Sequence, residues 1–208
     1  MIESFLPRFL AGMAVNFEIA ALSLVMGLVL GLMLAWARVA GGAAGAAAAT
    51  IAGLMRAAPT FVVMFFLLNA IPHDADFLDL PFVSSGAMVV ALSLVPYSAA
   101  YVADAGAAAV LQWRAGSHLG ALLFLPNVTR AFFVLVMSSG AGAAIGVNEG
   151  IAVILRQSEL LPSLGDRLVL FALGVTLFGI PLQVGFALIR ALQRHLSRVM
   201  LRTQGRTE

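Results

Sequence analysis

The sequence contains no cysteine and no lysine; all twelve of its basic residues are arginine. Without cysteine there is no disulfide, no thiolate nucleophile and no zinc–thiolate site, and redox compartment goes unmarked. Without lysine a GxxxxGK[ST] phosphate-binding loop cannot be written, and no Schiff base can form. The chain therefore cannot power itself as a P-loop ATPase. Charge is scarce as well: 11% of the 208 residues are charged, whereas 62% are hydrophobic. The mean hydropathy is +1.02. So few charges cannot solubilise that much apolar surface.

What is present is a set of long apolar runs. Residues 19–37, 80–103, 131–148 and 168–189 each approach or exceed one bilayer crossing, about 20 helical residues. Backbone polar groups in lipid must be paired internally, so the expected class is all-α, a polytopic bundle of about five membrane helices. The opening MIESFLPRFL has no basic n-region and its apolar run is too long for a signal h-region, so no cleaved signal peptide is expected.

Five spans are expected, over residues 9–37, 46–70, 84–111, 128–147 and 167–192. The first contains Gly27 and Gly31, a small-xxx-small pair that admits a second helix backbone. VAGGAAG reads as a flexible break after it. The acidic, Pro-bounded IPHDADFLDLPF reads as a loop leaving the membrane, and residues 148–166 as a short interfacial helix. Arginine placement then orients the bundle. Arg38, Arg114, Arg130 and the tail arginines Arg190, Arg194, Arg198, Arg202 and Arg206 mark the cytoplasmic side. The N-terminus is thereby placed outside and the C-terminus inside. The tail arginines recur every fourth residue and form a stripe on one helix face, a topology anchor against anionic membrane lipids or a contact for a cytoplasmic partner.

Arg56 and Asp104 fall inside expected spans, where ionisable side chains face a bundle interior or an aqueous cavity. Tyr97, Tyr101 and Asp104 share one helix face, and Arg56 and Thr60 another. Pro59 and Pro96 each free a carbonyl and introduce a kink near these faces. Two readings stand open. Arg56, Thr60, Tyr97, Tyr101 and Asp104 line a polar translocation pathway, or the charges form an internal ion pair that holds the bundle. The three histidines lie on separate segments without metal-ligand spacing, so no metal is expected. Ser138 and Ser139 have no nearby base, and GxxxG packing at Gly142 and Gly146 accounts for the local glycines, so no catalytic residue is expected.

Several stretches together resemble the permease subunits of ABC importers for polar amino acids, the histidine/glutamine/arginine/opine group. FLAGMAVNFEIAALSLVMGLVLGLMLAWARVAG is similar to that family's first span. MRAAPTF resembles its Arg-Gly-Thr-Pro segment at Arg56 and Pro59, with Ala57 and Ala58 in place of Gly and Thr. AAYVAD resembles its Ala-Tyr-x-Ala-Glu segment, with Asp104 in the acidic place. AIGVNEGIAVILRQSELL resembles its Ile-Gly-Val segment and outer helix, and LIRALQRHL its last span. The likeness extends over nearly the whole chain and rests on the order of many weak motifs.

The resemblance implies a type I importer permease fold in a bacterial inner membrane, working by alternating access. It implies as partners two ATP-binding subunits, a second permease copy or paralogue, and a periplasmic solute-binding protein; no nucleic acid is involved. It implies no cofactor on this chain, ATP being bound by the partner subunit. The family's cytoplasmic coupling loop carries Glu-Ala-Ala-xxx-Gly and then, after a further helical stretch, Leu-Pro. Here the corresponding stub, residues 112–126, has Arg114 in place of Glu, then Ala115, Gly116 in place of the second Ala, Gly120 at matching spacing, and Leu125-Pro126 only four residues later. About a dozen residues are missing, or ~18 Å of helix. The family's Lys-Asp-Thr-Ser stretch is here MSSG. A single permease domain over 1–208 with a basic tail from 190 is expected. The alternative is a degenerate permease-fold subunit that pairs with a competent one without itself coupling to the ATPase.

Overall fold

The computed structural model describes residues 2–71 and 84–204. The acidic loop with Asp74, Asp76 and Asp79, and Arg206 in the tail, lie outside the described residues. Among the described residues eight helices follow one another: α1 (Ile2–Ala40), α2 (Gly42–Ala57), α3 (Thr60–Ala70), α4 (Ser85–Arg114), α5 (His118–Leu122), α6 (Phe124–Ser138), α7 (Gly150–Glu159) and α8 (Leu164–Gln204). A 3-10 turn, Ser139–Ile145, extends α6. Among the described residues there is no strand.

α4 is the axis of the bundle. In its most apolar stretch 72% of the residues are buried, against 11% in α8, which lies at the periphery. A helix apolar on every side belongs in the middle of a bundle. Val90, Leu94, Met64, Ile19 and Leu135, from α4, α3, α1 and α6, meet there in the main core. The first span's glycines seat α1 directly on α4. A Cβ on Gly27 would lie 2.1 Å from Ser98 Oγ, and one on Gly31 would lie 2.6 Å from the Ala99 carbonyl oxygen. The Ser23 hydroxyl donates across the same seam to the Ala91 carbonyl (3.0 Å). The expected close approach at Gly27 and Gly31 is therefore realised.

Ser98 Oγ is buried in this seam and, among the described residues, has no hydrogen-bond partner. A buried hydroxyl left unpaired costs about 1–3 kcal/mol. Ser98→Ala is accordingly expected to keep or raise the thermal unfolding temperature in detergent micelles. A lower one would mean that the hydroxyl is bonded in the membrane.

Along the seam Ser23 meets Ala91, Gly31 meets Val102 and Arg38 meets Asp104, so α1 and α4 run parallel. The chain between them must return across the bilayer, and α2–α3 is the apolar pair that does so. With the bent pair counted as one span, the described residues hold five: four long apolar helices and one broken one. The kink expected at Pro59 in the second span is here a full break into two helices bent by 90°. The break falls where Ala58 and Pro59 both take extended backbone, with ψ 119° and 114°. Proline disfavours helical ψ at the residue before it and cannot donate to the helix ladder. α4 runs through Pro96 as one helix.

The other boundaries follow from local chemistry. VAGGAAG is a tight turn, with Gly41 and Gly42 at φ +76° and +63°. Of the two glycines expected to pack helices, only Gly142 does so, against Val90 and Val147; Gly146 instead ends the 3-10 turn at φ +85°. α7 is the expected short helix between the fourth and fifth spans. α8 continues through the basic tail as a single helix to Gln204.

Candidate functional site

Two polar centres lie within the bundle. In the first, Arg38, Arg56 and Asp104 converge from α1, α2 and α4. Arg38 donates to Asp104 Oδ1, and Arg56 bonds to Oδ2 of the same carboxylate. One carboxylate thus serves two guanidiniums, leaving a formal charge of +1. The pairs are partly open, with side-chain exposures of 29% for Arg38, 55% for Arg56 and 42% for Asp104. Arg56 occupies the last turn of α2, where unpaired carbonyls favour a cation. The bend at Ala58–Pro59 places that helix end beside α4.

Of the five residues expected along a pathway, Arg56 and Asp104 are brought into contact. Tyr97 and Tyr101 lie one turn apart on α4, their tilted rings 6.2 Å from each other, with Tyr97 packed against the main core. Thr60 opens α3 after the bend. Arg38 counted in the sequence only as a topology mark. The Ala-x-Ala-Arg step that ends the first span was the available signal.

The second centre was not visible as such. Asn16 of α1, Ser139 of the 3-10 turn and Glu149 before α7 are all fully buried. The Asn16 amide donates to Ser139 Oγ and to Glu149 Oε2, both at 2.8 Å, and its carbonyl oxygen accepts from the Gly150 amide at 2.9 Å. The Glu149 carboxylate caps α7, accepting from the Ile151 amide (2.9 Å) and the Ala152 amide (2.8 Å). α1 has to approach closely here: a Cβ on Gly12 would lie 2.9 Å from the Glu149 carbonyl carbon. Glu149 lies between the membrane-spanning segments. Burial pushes its carboxyl above the ordinary range, and the bonds from Ile151, Asn16 and Ala152 draw it partly back. Glu18 of α1, half-buried within the first span, is a further charge that the reading of the spans passed over.

The loop between α4 and α6 is compact. Arg114 ends α4, Ala115 and Gly116 (φ +80°) make the turn, and Ser117 Oγ caps the one-turn helix α5 by accepting from the Gly120 amide (3.2 Å). Gly120 is fixed by packing: a Cβ there would lie 2.8 Å from Gln112 Oε1. Leu125 and Pro126 already belong to α6. Arg114, Trp113 and Leu125 are exposed on this end of the bundle.

With the geometry in place, comparison with solved structures is informative. The chain superposes on the crystal structure of an amino acid ABC transporter with histidines, with a TM-score of 0.64 over 93% of this chain and 96% of that one, at 15% identity. This is the fold of an ABC transporter membrane subunit. No protein-family model matches the sequence, and no curated protein sequence matches it. At 15% identity the likeness is one of fold, a multi-pass membrane helix bundle, and the side chains of the two centres have to be argued from this chain alone.

Proposed function

We propose that the chain is the transmembrane permease subunit of an ABC importer that moves a polar amino acid or similar small polar solute by alternating access. The observation that carries the proposal is the near end-to-end superposition on an amino acid transporter's membrane subunit, with a charged triad held between helices. In this reading the chain is no enzyme. ATP hydrolysis resides in separate ATP-binding subunits, a second permease copy or paralogue completes the pathway, and a periplasmic solute-binding protein delivers the solute to a bacterial inner membrane. Arg56 and Asp104 stand at the cytoplasmic end of the pathway, with Tyr97 and Tyr101 above them and Thr60 at the bend. A triad with an excess positive charge suits a solute carboxylate better than an amine.

One observation favours the second reading, a permease-fold subunit without its own motor contact. The Arg114–Pro126 stub folds as a turn and a single helical turn, offering little that protrudes into an ATPase cleft. Co-expression with the ATP-binding subunit separates the two. The first reading expects the chain to pull the ATPase down, and Arg56→Ala or Asp104→Asn to lower uptake at least tenfold at equal membrane abundance. A chain that captures no ATPase and leaves uptake unchanged on either substitution belongs to the second.

A further inference from the structure

At the opposite end of the bundle from the triad, a cavity of about 280 Å³ opens between α1 and α7. Its polar lining is Arg8 from α1 with Asn148, Arg156 and Gln157 from and before α7, and Leu160 closes one side. Arg156 Nη1 donates to Asn148 Oδ1 (3.1 Å), which holds that guanidinium over the cavity. Among the described residues no carboxylate lines it. Glu149, next to Asn148 in the chain, is turned inward to Asn16 and the α7 amides. Among the described residues Arg8 and Arg156 have no acidic partner, whereas Arg38 and Arg56 share Asp104. Two guanidiniums facing one small cavity without a counter-charge make an anion site, and guanidinium matches a phosphate in two-point geometry.

Depth says where the anion comes from. Thirty residues separate Arg8 from Arg38 on the continuous helix α1. At the helical rise this is about 45 Å, the thickness of a bilayer with its headgroups. When Arg38 stands at one headgroup plane, Arg8 stands at the other. Leu160, which closes one side of the cavity, is exposed. A charged pocket at headgroup depth, with an exposed leucine at its rim, matches a phosphate head with an acyl chain alongside. We propose that Arg8 and Arg156 bind the phosphate of an anionic phospholipid, which ties α7 to α1 at the membrane surface.

Native mass spectrometry of the full chain, released from detergent with phosphatidylglycerol or phosphatidylcholine added, tests this. The tail arginines also attract lipid, so the readout is one particular bound lipid. The expected result is that the wild type retains one more phosphatidylglycerol than Arg8→Gln/Arg156→Gln, whose affinity for that lipid falls about 30-fold. Arg8→Lys/Arg156→Lys, which keeps the charge, is expected to lose much less and controls for misfolding. Equal retention by the wild type and the glutamine variant overturns the proposal. So does displacement of the lipid by inorganic phosphate at equal concentration, which would make this a soluble-phosphate site. A glutamine variant that keeps its lipid but loses capture of a solute-binding protein also overturns it, in favour of a protein contact.

Discussion

Glu149→Ala is expected to be among the most destabilising single substitutions in the chain, at about 3 kcal/mol. The side chain caps α7, and its removal leaves the amides of Ile151 and Ala152 and the fully buried Asn16 amide short of an acceptor. Losing a cap costs about 1 kcal/mol, and each stranded buried polar group about 1–3 kcal/mol, part of which relaxation recovers. α7 should loosen from α1 first, because that carboxylate holds Asn16, which in turn bonds Ser139 Oγ and the Gly150 amide. Thermal unfolding in detergent together with protease cleavage near residue 160 would register it; a variant as stable and as protected as the wild type would show that the cluster is dispensable.

The same residue carries a pH signature whose sign is fixed by burial. The folded carboxyl titrates above its unfolded value, so over that window the folded chain holds more proton than the unfolded one. Its contribution to stability is full below the ordinary carboxylate range and is lost as pH rises through the raised folded value. Measured against Glu149→Gln, which does not titrate, the wild type should therefore lose relative stability on going from acid to neutral pH. A relative gain would mean that the amide bonds of the cap outweigh desolvation.

Asp104→Asn is the second large effect. It removes the one carboxylate shared by Arg38 and Arg56 and leaves two guanidiniums facing each other between α1, α2 and α4. An exposed pair contributes about 0–1 kcal/mol, and breaking a buried one costs about 3–5 kcal/mol. These side chains are partly open, so a loss of about 2 kcal/mol is expected. Most of that loss comes from stranded charge. The triple variant Arg38→Gln/Arg56→Gln/Asp104→Asn should therefore recover much of the stability while uptake stays low. If the triple variant unfolds below Asp104→Asn, the triad acts through its hydrogen bonds, and charge is secondary.

Arg56 and Asp104 stand out in the sequence because charge inside an apolar run is costly wherever it faces. Their contact does not, since 48 residues and a helix bend lie between them. The Asn16–Glu149 pair spans 133 residues and gave less warning. Asn16 is a small amide in an apolar run, and Glu149 reads as one of several interfacial charges. Gly27 and Gly31 were legible because their spacing alone puts two hydrogen side chains on one helix face. Gly120 fits the spacing of a coupling motif, yet its immediate constraint is the Gln112 side chain above it.

The sequence by itself determined that this is a membrane bundle of about five helices, which stretches cross, and which charges are too deep to be idle. Those properties follow from solvation, and solvation is set residue by residue. Only the tertiary structure decided that α2–α3 breaks at Pro59 while α4 runs through Pro96. The same chemical defect is present at both sites. Pro96 lies half-buried in the central helix α4, and Pro59 is exposed where the chain turns at the edge of the bundle. The tertiary structure likewise decided that one aspartate serves two arginines, while among the described residues Arg8 and Arg156 form no ion pair. Pairing depends on which helix ends meet, and packing settles that after the spans are formed.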